Sequence, residues 1–168
     1  HIGADIADAP LRYVQATGDE AFMQEAGVEL LVETARLMRS LGHHDRHGQF
    51  HIDGVTGPDE YTAVAHDNVY TNLMAQRNML AAAEAVAKYP DIGRALGVDE
   101  EEAASWRDAA RSIAIPYDEE LGVHQQVEGF TRFQEWDFAS TKPEDYPLLL
   151  TKPYFDIYRR QVIKQADL

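Results

Sequence analysis

The segment from Val69 to Lys88 constrains the fold of this chain more than any other feature. Its apolar residues recur at helical spacing but cover much of the circumference, which predicts a helix contacted on more than one side. Asp67 or Asn68 supplies an N-cap in front of it, and Pro90 ends it. The apolar positions are Leu73, Ala75, Met79, Leu80, Ala83, Val86 and Ala87.

Four further segments predict helices. The first covers residues 2–16 and contains Pro10, which we expect to kink or shift the helix. The second begins after a cap at position 19 and covers residues up to about 41, where a glycine follows. The third covers residues 99–113, and the last covers residues 155–168.

Long connections join these helices. Residues 43–66 form an irregular stretch with one short strand at 49–52, and residues 117–130 predict a short hairpin or an extended strand. Residues 131–147 predict a loop rich in aromatic and turn residues. We therefore predict a mainly α-helical chain without internal boundary, whose long loops are of a kind that usually carries function.

Composition excludes several classes of protein. The 168 residues are 45% hydrophobic, which is enough for a packed core, and no apolar run approaches the ~20 residues of a membrane helix. Cysteine is absent, which excludes thiolate sites and disulfides and permits a cytoplasmic location. The net charge of −14 argues against nucleic-acid binding, because Arg159, Arg160 and Lys164 are the nearest approach to a basic cluster. A neutral ligand such as a sugar is compatible with this charge.

The stretch from His51 to Tyr61 presents acids on a stiff turn that contains two glycines and a proline. Glu60 is the leading candidate for a general acid, which must stay protonated near neutral pH through burial or a nearby negative charge. Asp59 would supply that charge, and Tyr61 or Trp136 an apolar wall. On local chemistry alone, a purely structural cap at positions 59 and 60 is an equally good interpretation.

A second carboxylate would complete hydrolysis of a glycosidic bond. In an inverting hydrolase it lies about 6.5–9.5 Å from the acid and activates water. Asp53, Glu135 and Asp137 are available, and the sequence does not choose among them. The acids at 100–102 and 119–120 are better explained as solvated surface groups.

Two further groups invite a binding role. Histidines and acids around position 47 could form a metal cluster, but they match no strong metal pattern, and we favour ordinary hydrogen-bonded histidines. Lys164 and Gln165 are rich in donors that suit sugar hydroxyls, although local chemistry favours a plain helix surface. The histidine group comprises His43, His44, His47 and His51, with Asp45 and Asp53.

Motifs along the whole chain resemble glycoside hydrolase family 65, which includes maltose, trehalose and kojibiose phosphorylases. The central match is Gly57–Tyr61 followed by Asp67–Asn72. The opening His1–Ala7, with the Thr17–Asp19 segment, and the closing Gln161–Asp167 are similar to the same family in the same order.

The resemblance implies a central part of an (α/α)6 barrel, with residues 1–168 a fragment of one catalytic domain. It places the general acid at Glu60 and the contacts to the transferred glucose at Lys164 and Gln165. Asp59 and Tyr61 are additional candidates for substrate contact. The family's phosphate-binding residues fall beyond position 168, so we expect this fragment alone to be inactive.

The implied reaction is inverting phosphorolysis of an α-linked glucose disaccharide to β-glucose 1-phosphate and glucose. The resemblance implies no metal or organic cofactor, with inorganic phosphate as co-substrate and the disaccharide as partner. A family 65 hydrolase of trehalose or kojibiose is the alternative enzyme. A non-catalytic helical sugar-binding module is the alternative of another class. Self-association into a homo-oligomer through exposed apolar faces stays open.

Overall fold

The structure, a computed structural model, describes residues 1–58, 64–157 and 160–161. Helices make up most of it, and short strands connect them. The helices are α1 (Ile2–Thr17), α2 (Glu20–Phe22), a π-helical turn (Met23–Gly27), α3 (Val28–Leu41), α4 (Val69–Lys88), α5 (Pro90–Ala95), α6 (Glu100–Ser112), α7 (Leu148–Thr151) and α8 (Tyr154–Ile157). The strands are β1 (Gly42–His44), β2 (Phe50–Ile52), β3 (Tyr117–Asp118), β4 (Val123–His124), β5 (Gln134–Glu135) and β6 (Arg160–Gln161).

Two of the predicted helices begin at predicted caps, and a third begins at the predicted first residue, Asp99, which acts as its cap. The side chains of Asp19, Asn68 and Asp99 each accept a hydrogen bond from a backbone amide in the first turn of α2, α4 and α6. Such a bond satisfies one of the amides that a helix start leaves without an intrahelical partner. Helix α1 continues through Pro10 as one element, although we expected a kink or shift there.

Helices α1 and α4 lie side by side and run in the same direction. Tyr70 donates to Asp5 near their N-termini, Arg77 donates to Asp8 further along, and Lys88 donates to Glu20 beyond the end of α1. The linked residues are 5 and 70, 8 and 77, and 20 and 88. Their separation in sequence is nearly constant, as it must be when two helices run in parallel.

Helices α3 and α6 flank α4 and run the opposite way. Asn72 donates to the backbone of Ala114, and one turn later Gln76 donates to Ala110, so rising numbers in α4 meet falling numbers at α6. Helix α3 is antiparallel to α1 in the same way, because Gly3 lies against Met38 while Val14 lines a pocket with Met23. Helices α3 and α6 therefore both run antiparallel to the parallel pair of α1 and α4.

The core lies where α4 meets its neighbours. Ala75, Met79 and Ala82 are fully buried on α4, and Trp106 of α6 and Leu31 of α3 close on them from either side. This arrangement confirms the prediction that α4 is contacted on more than one side. Because buried side chains of this size each contribute about 1.5–3 kcal/mol, the layer around α4 supplies much of the hydrophobic stabilisation.

Three elements differ from the predictions. The strand predicted at residues 49–52 pairs with β1, which the sequence reading missed, and the two form an antiparallel ribbon. Pro90 ends α4 but also starts α5, because proline is well suited to the first helical position. The prediction of a helix over residues 155–168 is wrong at residues 160–161, which form β6. This strand pairs in parallel with β5, which lies in the segment 131–147 that was predicted to be a loop.

The hairpin predicted in residues 117–130 is confirmed by the antiparallel pair of β3 and β4. None of the described helices is long and apolar enough to cross a membrane.

Candidate active site

The residues that carry the predicted chemistry lie outside the described residues. The structure describes the segments on either side of the central loop. The residues concerned are Asp59, Glu60, Tyr61, Lys164 and Gln165.

The loop that contains Glu60 is closed at its base by a short antiparallel neck. The backbones of Val55 and Ala65 exchange two hydrogen bonds, of 3.0 and 2.7 Å. Below that pair, the Asp67 amide donates to the Ile52 carbonyl at 3.0 Å. Residues 56–64, which the Val55–Ala65 pair encloses, are the segment that we call the acid loop. Both ends of the acid loop are therefore fixed relative to β2.

Asp67 is the most constrained residue of the neck. It is only 3% exposed and adopts a left-handed backbone with φ 47°, which few residues other than glycine adopt. One carboxylate oxygen accepts from the Asn72 amide at 3.0 Å and from the Ile52 backbone at 3.3 Å. The other accepts from His51 Nδ1 at 2.6 Å. The buried carboxylate is thus fully engaged in holding three segments together.

The far end of the acid loop runs directly into α4 through Asn68. The Asn68 side chain accepts from the Thr71 backbone at 3.0 Å and donates to the Gln126 carbonyl at 3.3 Å. Gly57 of the loop lies against this side chain, since a Cβ on Gly57 would come within 2.8 Å of the Asn68 Cγ. Glycine is required at position 57 because another residue's Cβ would collide with the helix cap.

Neighbouring segments brace the neck from outside. The Ala114 carbonyl accepts from Asn72 at 2.7 Å, and its amide donates to Phe50 at 2.8 Å. The Glu128 amide donates to the His66 carbonyl at 3.1 Å. A small apolar cluster covers the neck on this side, formed by Ala65, Val127, Phe130 and Phe133.

The N-termini of α1 and α4 meet at the same end of the helical layer as the acid loop. His1 Nδ1 and the Tyr70 hydroxyl both donate to the Asp5 carboxylate, at 2.7 and 2.9 Å. The His1 and Tyr70 rings meet edge to face with centroids 5.6 Å apart. Two parallel helix starts and a loop with an acid therefore converge, which gathers backbone amides and polar side chains at one end.

An open polar cleft of about 320 Å³ lies beside the neck. His51 and Asp67 line it on the side of the neck, and Glu128 and Arg132 line it on the side of the β3–β4 hairpin. Burial, the largest influence on His51, acts to lower its pKa, but the hydrogen bond from His51 to Asp67 and nearby carboxylates raise that pKa overall. At the edge of this cleft, the carboxylates around His51 therefore outweigh the effect of burial on its pKa.

The candidates for a second carboxylate are mostly engaged in local contacts. Asp137 accepts from the hydroxyl and the amide of Ser140 at 2.5 and 3.1 Å, and these bonds lower the pKa of Asp137. Asp53 accepts from His66 at 3.0 Å. Glu135 is exposed on β5. The structure thus gives Asp137 and Asp53 structural partners and does not single out a water-activating base.

Of the acids predicted to be solvated surface groups, one joins two helices. Glu100 and Glu101 lie in the first turn of α6, whereas Glu102 receives a bidentate pair of hydrogen bonds from Arg36 at 2.7 and 2.9 Å. The prediction of a merely solvated group is therefore wrong for Glu102, which ties α6 to α3. Acids at 119 and 120 are exposed, as predicted.

The histidines do not form a metal cluster within the described part of the chain, where no group of three or more potential ligands comes together. Each of three histidines faces a carboxylate instead: His43 Nδ1 lies 3.8 Å from Asp53, and His44 Nε2 lies 3.3 Å from Asp108. His51 pairs with Asp67, as described above. His47 accepts from Arg46 at 3.0 Å.

The sequence reading missed the partners that hold the acid loop. The sequence favours a hydrogen-bonded His51 and offers Asp67 as a helix cap, but it does not indicate that these two residues pair across the neck. One sequence feature could have indicated this pair. Two residues, Asp67 and Asn68, are both suited to cap α4, but a helix needs one cap, and Asn68 provides it. Asp67 was therefore free for another role.

Comparisons with known proteins agree on one family. Residues 1–168 match the glycosyl hydrolase family 65 central catalytic domain. The chain is 60% identical over its full length to an uncharacterised glycosyl hydrolase of Mycobacterium leprae, of which it covers 21%. It is 45% identical over 99% of its length to an α,α-trehalose phosphorylase of Geobacillus stearothermophilus, of which it covers 23%.

A solved structure supports the same assignment. A candidate kojibiose phosphorylase from the human microbiome superposes with a TM-score of 0.87 at 30% identity, over 98% of this chain and 25% of the other. The helical fold and the match along the whole chain identify a domain of a carbohydrate-active enzyme. The chain belongs to glycosyl hydrolase family 65 and forms part of its (α/α)6 barrel. It spans about a fifth to a quarter of the length of these relatives.

Proposed function

We propose that the full-length protein catalyses inverting phosphorolysis of an α-linked glucose disaccharide of the trehalose, maltose or kojibiose type. The products are β-glucose 1-phosphate and glucose. In this proposal, residues 1–168 form one piece of the catalytic barrel without an internal domain boundary. The enzyme is cytoplasmic, uses inorganic phosphate as co-substrate and requires no metal or organic cofactor.

The closed acid loop is the observation that carries the proposal. Its ends are fixed by the Val55–Ala65 pair and by the Asn68 cap, and it lies at the end of the helical layer where α1 and α4 both begin. We infer that fixing both ends in this way positions the Glu60 carboxyl group at the mouth of a helical barrel. Precise placement is what general acid catalysis needs, because a misplaced acid loses most of its effect.

Glu60 acts as the general acid in this mechanism. Its proton passes to the glycosidic oxygen as the bond from that oxygen to the anomeric carbon breaks, and the second sugar leaves as an alcohol. Phosphate attacks the anomeric carbon from the opposite face, which inverts the configuration. Phosphate is already an anion, so no second carboxylate has to activate the nucleophile, in contrast to an inverting hydrolase.

The other predicted residues bind substrate in the proposal. Lys164 and Gln165 donate hydrogen bonds to hydroxyl groups of the transferred glucose. Asp59 and Tyr61 flank the acid and contact the sugar on either side of the scissile bond. Two relatives with phosphorylase names support this substrate class: the trehalose phosphorylase at 45% identity and a kojibiose phosphorylase of Caldanaerobacter subterraneus at 32%.

Hydrolysis is a second candidate, because the relative at 60% identity carries the name glycosyl hydrolase. In that case water would replace phosphate, and a carboxylate outside the described residues would activate it.

The phosphate requirement separates the two reactions. The purified full-length protein is incubated with trehalose, maltose or kojibiose, with and without inorganic phosphate, and products are followed by ¹H and ³¹P NMR. The proposal predicts consumption of one disaccharide only when phosphate is present, with β-glucose 1-phosphate as the first product. Release of two glucose molecules without phosphate would show a hydrolase instead.

A further inference from the structure

The neck of the acid loop holds a histidine–aspartate pair that the reaction itself does not use. His51 on β2 and Asp67 before α4 lie 16 residues apart and on opposite sides of the neck, and His51 Nδ1 donates to Asp67 at 2.6 Å. The pair therefore joins the segment that enters the acid loop to the segment that leaves it.

The Asp67 carboxylate depends on this contact for its position. The left-handed backbone at φ 47° is a conformation that costs about 1 kcal/mol or more for a residue with a side chain. Hydrogen bonds from His51, Asn72 and the Ile52 backbone hold the carboxylate and offset that cost. Strain that persists under such support is typical of a segment whose exact course matters.

His51 is suited to hold a carboxylate firmly. Its side chain is 22% exposed, so the hydrogen bond to Asp67 is largely protected from competing water. Nε2 faces Asp45 at 3.9 Å, and Asp53 adds negative charge nearby, so the carboxylates around the ring all favour the protonated form. A charged donor to a buried carboxylate makes a shorter and stronger bond than a neutral pair.

We propose that His51 and Asp67 are positioning residues for the general acid: their bond across the neck fixes the course of the acid loop and thereby the place of Glu60. The inference rests on the proposed role of Glu60. In this proposal, the pair acts on Glu60 through the loop and not by contact with substrate. When the pair is broken, the Val55–Ala65 rungs remain, but Asp67 loses a partner and the loop gains freedom to move by a fraction of an ångström or more.

A small displacement is enough to affect proton transfer. A shift of about 1 Å in a reacting group can reduce the rate about 100-fold. Glu60 would still reach the substrate in part of the ensemble, so we expect kcat to fall by about 10- to 100-fold in His51→Ala, with KM changed by less than about 3-fold. Substrate binding through Lys164 and Gln165 is left in place.

Three variants of the full-length enzyme test the pair itself. His51→Ala removes the donor, while His51→Asn returns an amide N–H close to the place of Nδ1 and should recover most of the lost kcat. Asp67→Asn keeps the shape and tolerates the left-handed backbone, but it removes the negative charge that His51 binds.

A matched control comes from the same ribbon. His44 on β1 is 27% exposed and also faces a carboxylate, Asp108 at 3.3 Å, but it does not contribute to the neck. His44→Ala therefore removes a similar histidine–aspartate contact without touching the loop, and its kcat should stay near that of the wild type. Circular dichroism and the thermal midpoint of every variant show that each is folded.

The decisive readout compares two substrates. Each variant is assayed with phosphate on the disaccharide, whose leaving group needs a proton, and on α-glucosyl fluoride, whose fluoride leaves with little protonation. A displaced acid should harm the first reaction far more than the second, so His51→Ala and Asp67→Asn should approach wild-type rates on the fluoride. Glu60→Gln, assayed in parallel, should show the same pattern in stronger form.

Two results would count against the pair, and a third would count against the proposed function. If kcat of His51→Ala on the disaccharide equals that of the wild type while Glu60→Gln is inactive, the positioning role is wrong and the role of Glu60 stands. Equal losses on both substrates would show general damage to the fold and would also overturn the positioning role. A fully active Glu60→Gln would instead overturn the proposed function.

Discussion

At the scale of single residues, Asp8 shows how the helical layer holds a charge inside. Its carboxylate is 7% exposed and accepts from Arg12 on its own helix and from Arg77 on α4. Burial, the largest influence, acts to raise the pKa of Asp8, but the two arginines lower it overall. The folded state therefore prefers the ionised form more strongly than the unfolded chain does.

The direction of that shift sets a pH dependence for stability. A carboxyl group whose folded pKa is lowered stabilises the fold above its unfolded pKa of about 3.9 and loses that contribution as the pH falls through the folded pKa. Asp8→Asn should therefore destabilise the full-length enzyme by about 1 kcal/mol at pH 7, a modest value because Arg12 and Arg77 are themselves solvated. The difference in stability between the wild type and Asp8→Asn should become smaller as the pH falls from about 5 to about 3.

Thermal midpoints measured across that pH range check the prediction. Asp91→Asn is the control, since Asp91 pairs with Arg94 at an exposed site and should contribute almost nothing. A difference between Asp8→Asn and the wild type that is the same at pH 7 and pH 4 would contradict the electrostatic explanation.

At the scale of elements, Gly57 links the acid loop to helix α4. A Cβ at this position would come within 2.8 Å of the Asn68 Cγ, and Asn68 both caps α4 and holds the Gln126 carbonyl. Gly57→Ala must therefore displace either the loop or the cap. We expect kcat on the disaccharide to fall at least about 10-fold and stability to fall by about 1–2 kcal/mol.

Steady-state kinetics and thermal unfolding of the full-length variant measure both effects. Gly48→Ala is the control: it replaces a glycine at φ 82° on the turn between β1 and β2, where a Cβ meets nothing within 4 Å. That variant should lose about 1 kcal/mol of stability from backbone strain but keep its kcat. Unchanged kcat in Gly57→Ala would show that the loop does not depend on its seat against Asn68.

Predictability from sequence also varies by element. The course of α4 could be predicted because its cap, its apolar pattern and its terminating proline are all local signals. The pairing of β5 with β6 could not, since parallel strands of two residues carry no periodic signal and depend on contacts between distant segments. The second helix was predicted over its full course, but the π-helical turn inside it, Met23–Gly27, was not.

In the candidate site, too, features with a local sequence signal could be predicted, and contacts between distant segments could not. The acid loop was recognised from its glycines, proline and acids, which are all within one short stretch. The neck was not, because His51 and Asp67 meet only when the chain returns on itself, and neither residue is unusual in its local setting. Asn72 of α4 and the Ala114 carbonyl, just beyond the end of α6, join the same network, which no local pattern reveals.

At the scale of the whole molecule, the directions of the helices determine at which end of the helical layer each connecting loop lies. Helices α1 and α4 are parallel, and the antiparallel α3 and α6 pack against them, which is one section of an (α/α)6 barrel. Both parallel helices start at the same end of this section, so the base of the acid loop, which leads into α4, lies near the start of α1. The proposed reaction places the mouth of the barrel at this end.

The chain covers about a quarter of the length of a related solved structure. Exposed apolar residues on the helical layer are therefore expected to be covered in the full-length protein, where the rest of the barrel completes the layer. They include Ile2, Ile6, Leu37, Leu41 and Leu73.

The central claim is that Glu60 donates the proton that releases the second sugar. The most direct test measures kcat of the full-length Glu60→Gln variant, with phosphate, on the disaccharide and on α-glucosyl fluoride. The account predicts a loss of about 100- to 10,000-fold on the disaccharide, the usual contribution of general acid catalysis, and near wild-type turnover of the fluoride. Near wild-type turnover of the disaccharide, or an equal loss on both substrates, would contradict it.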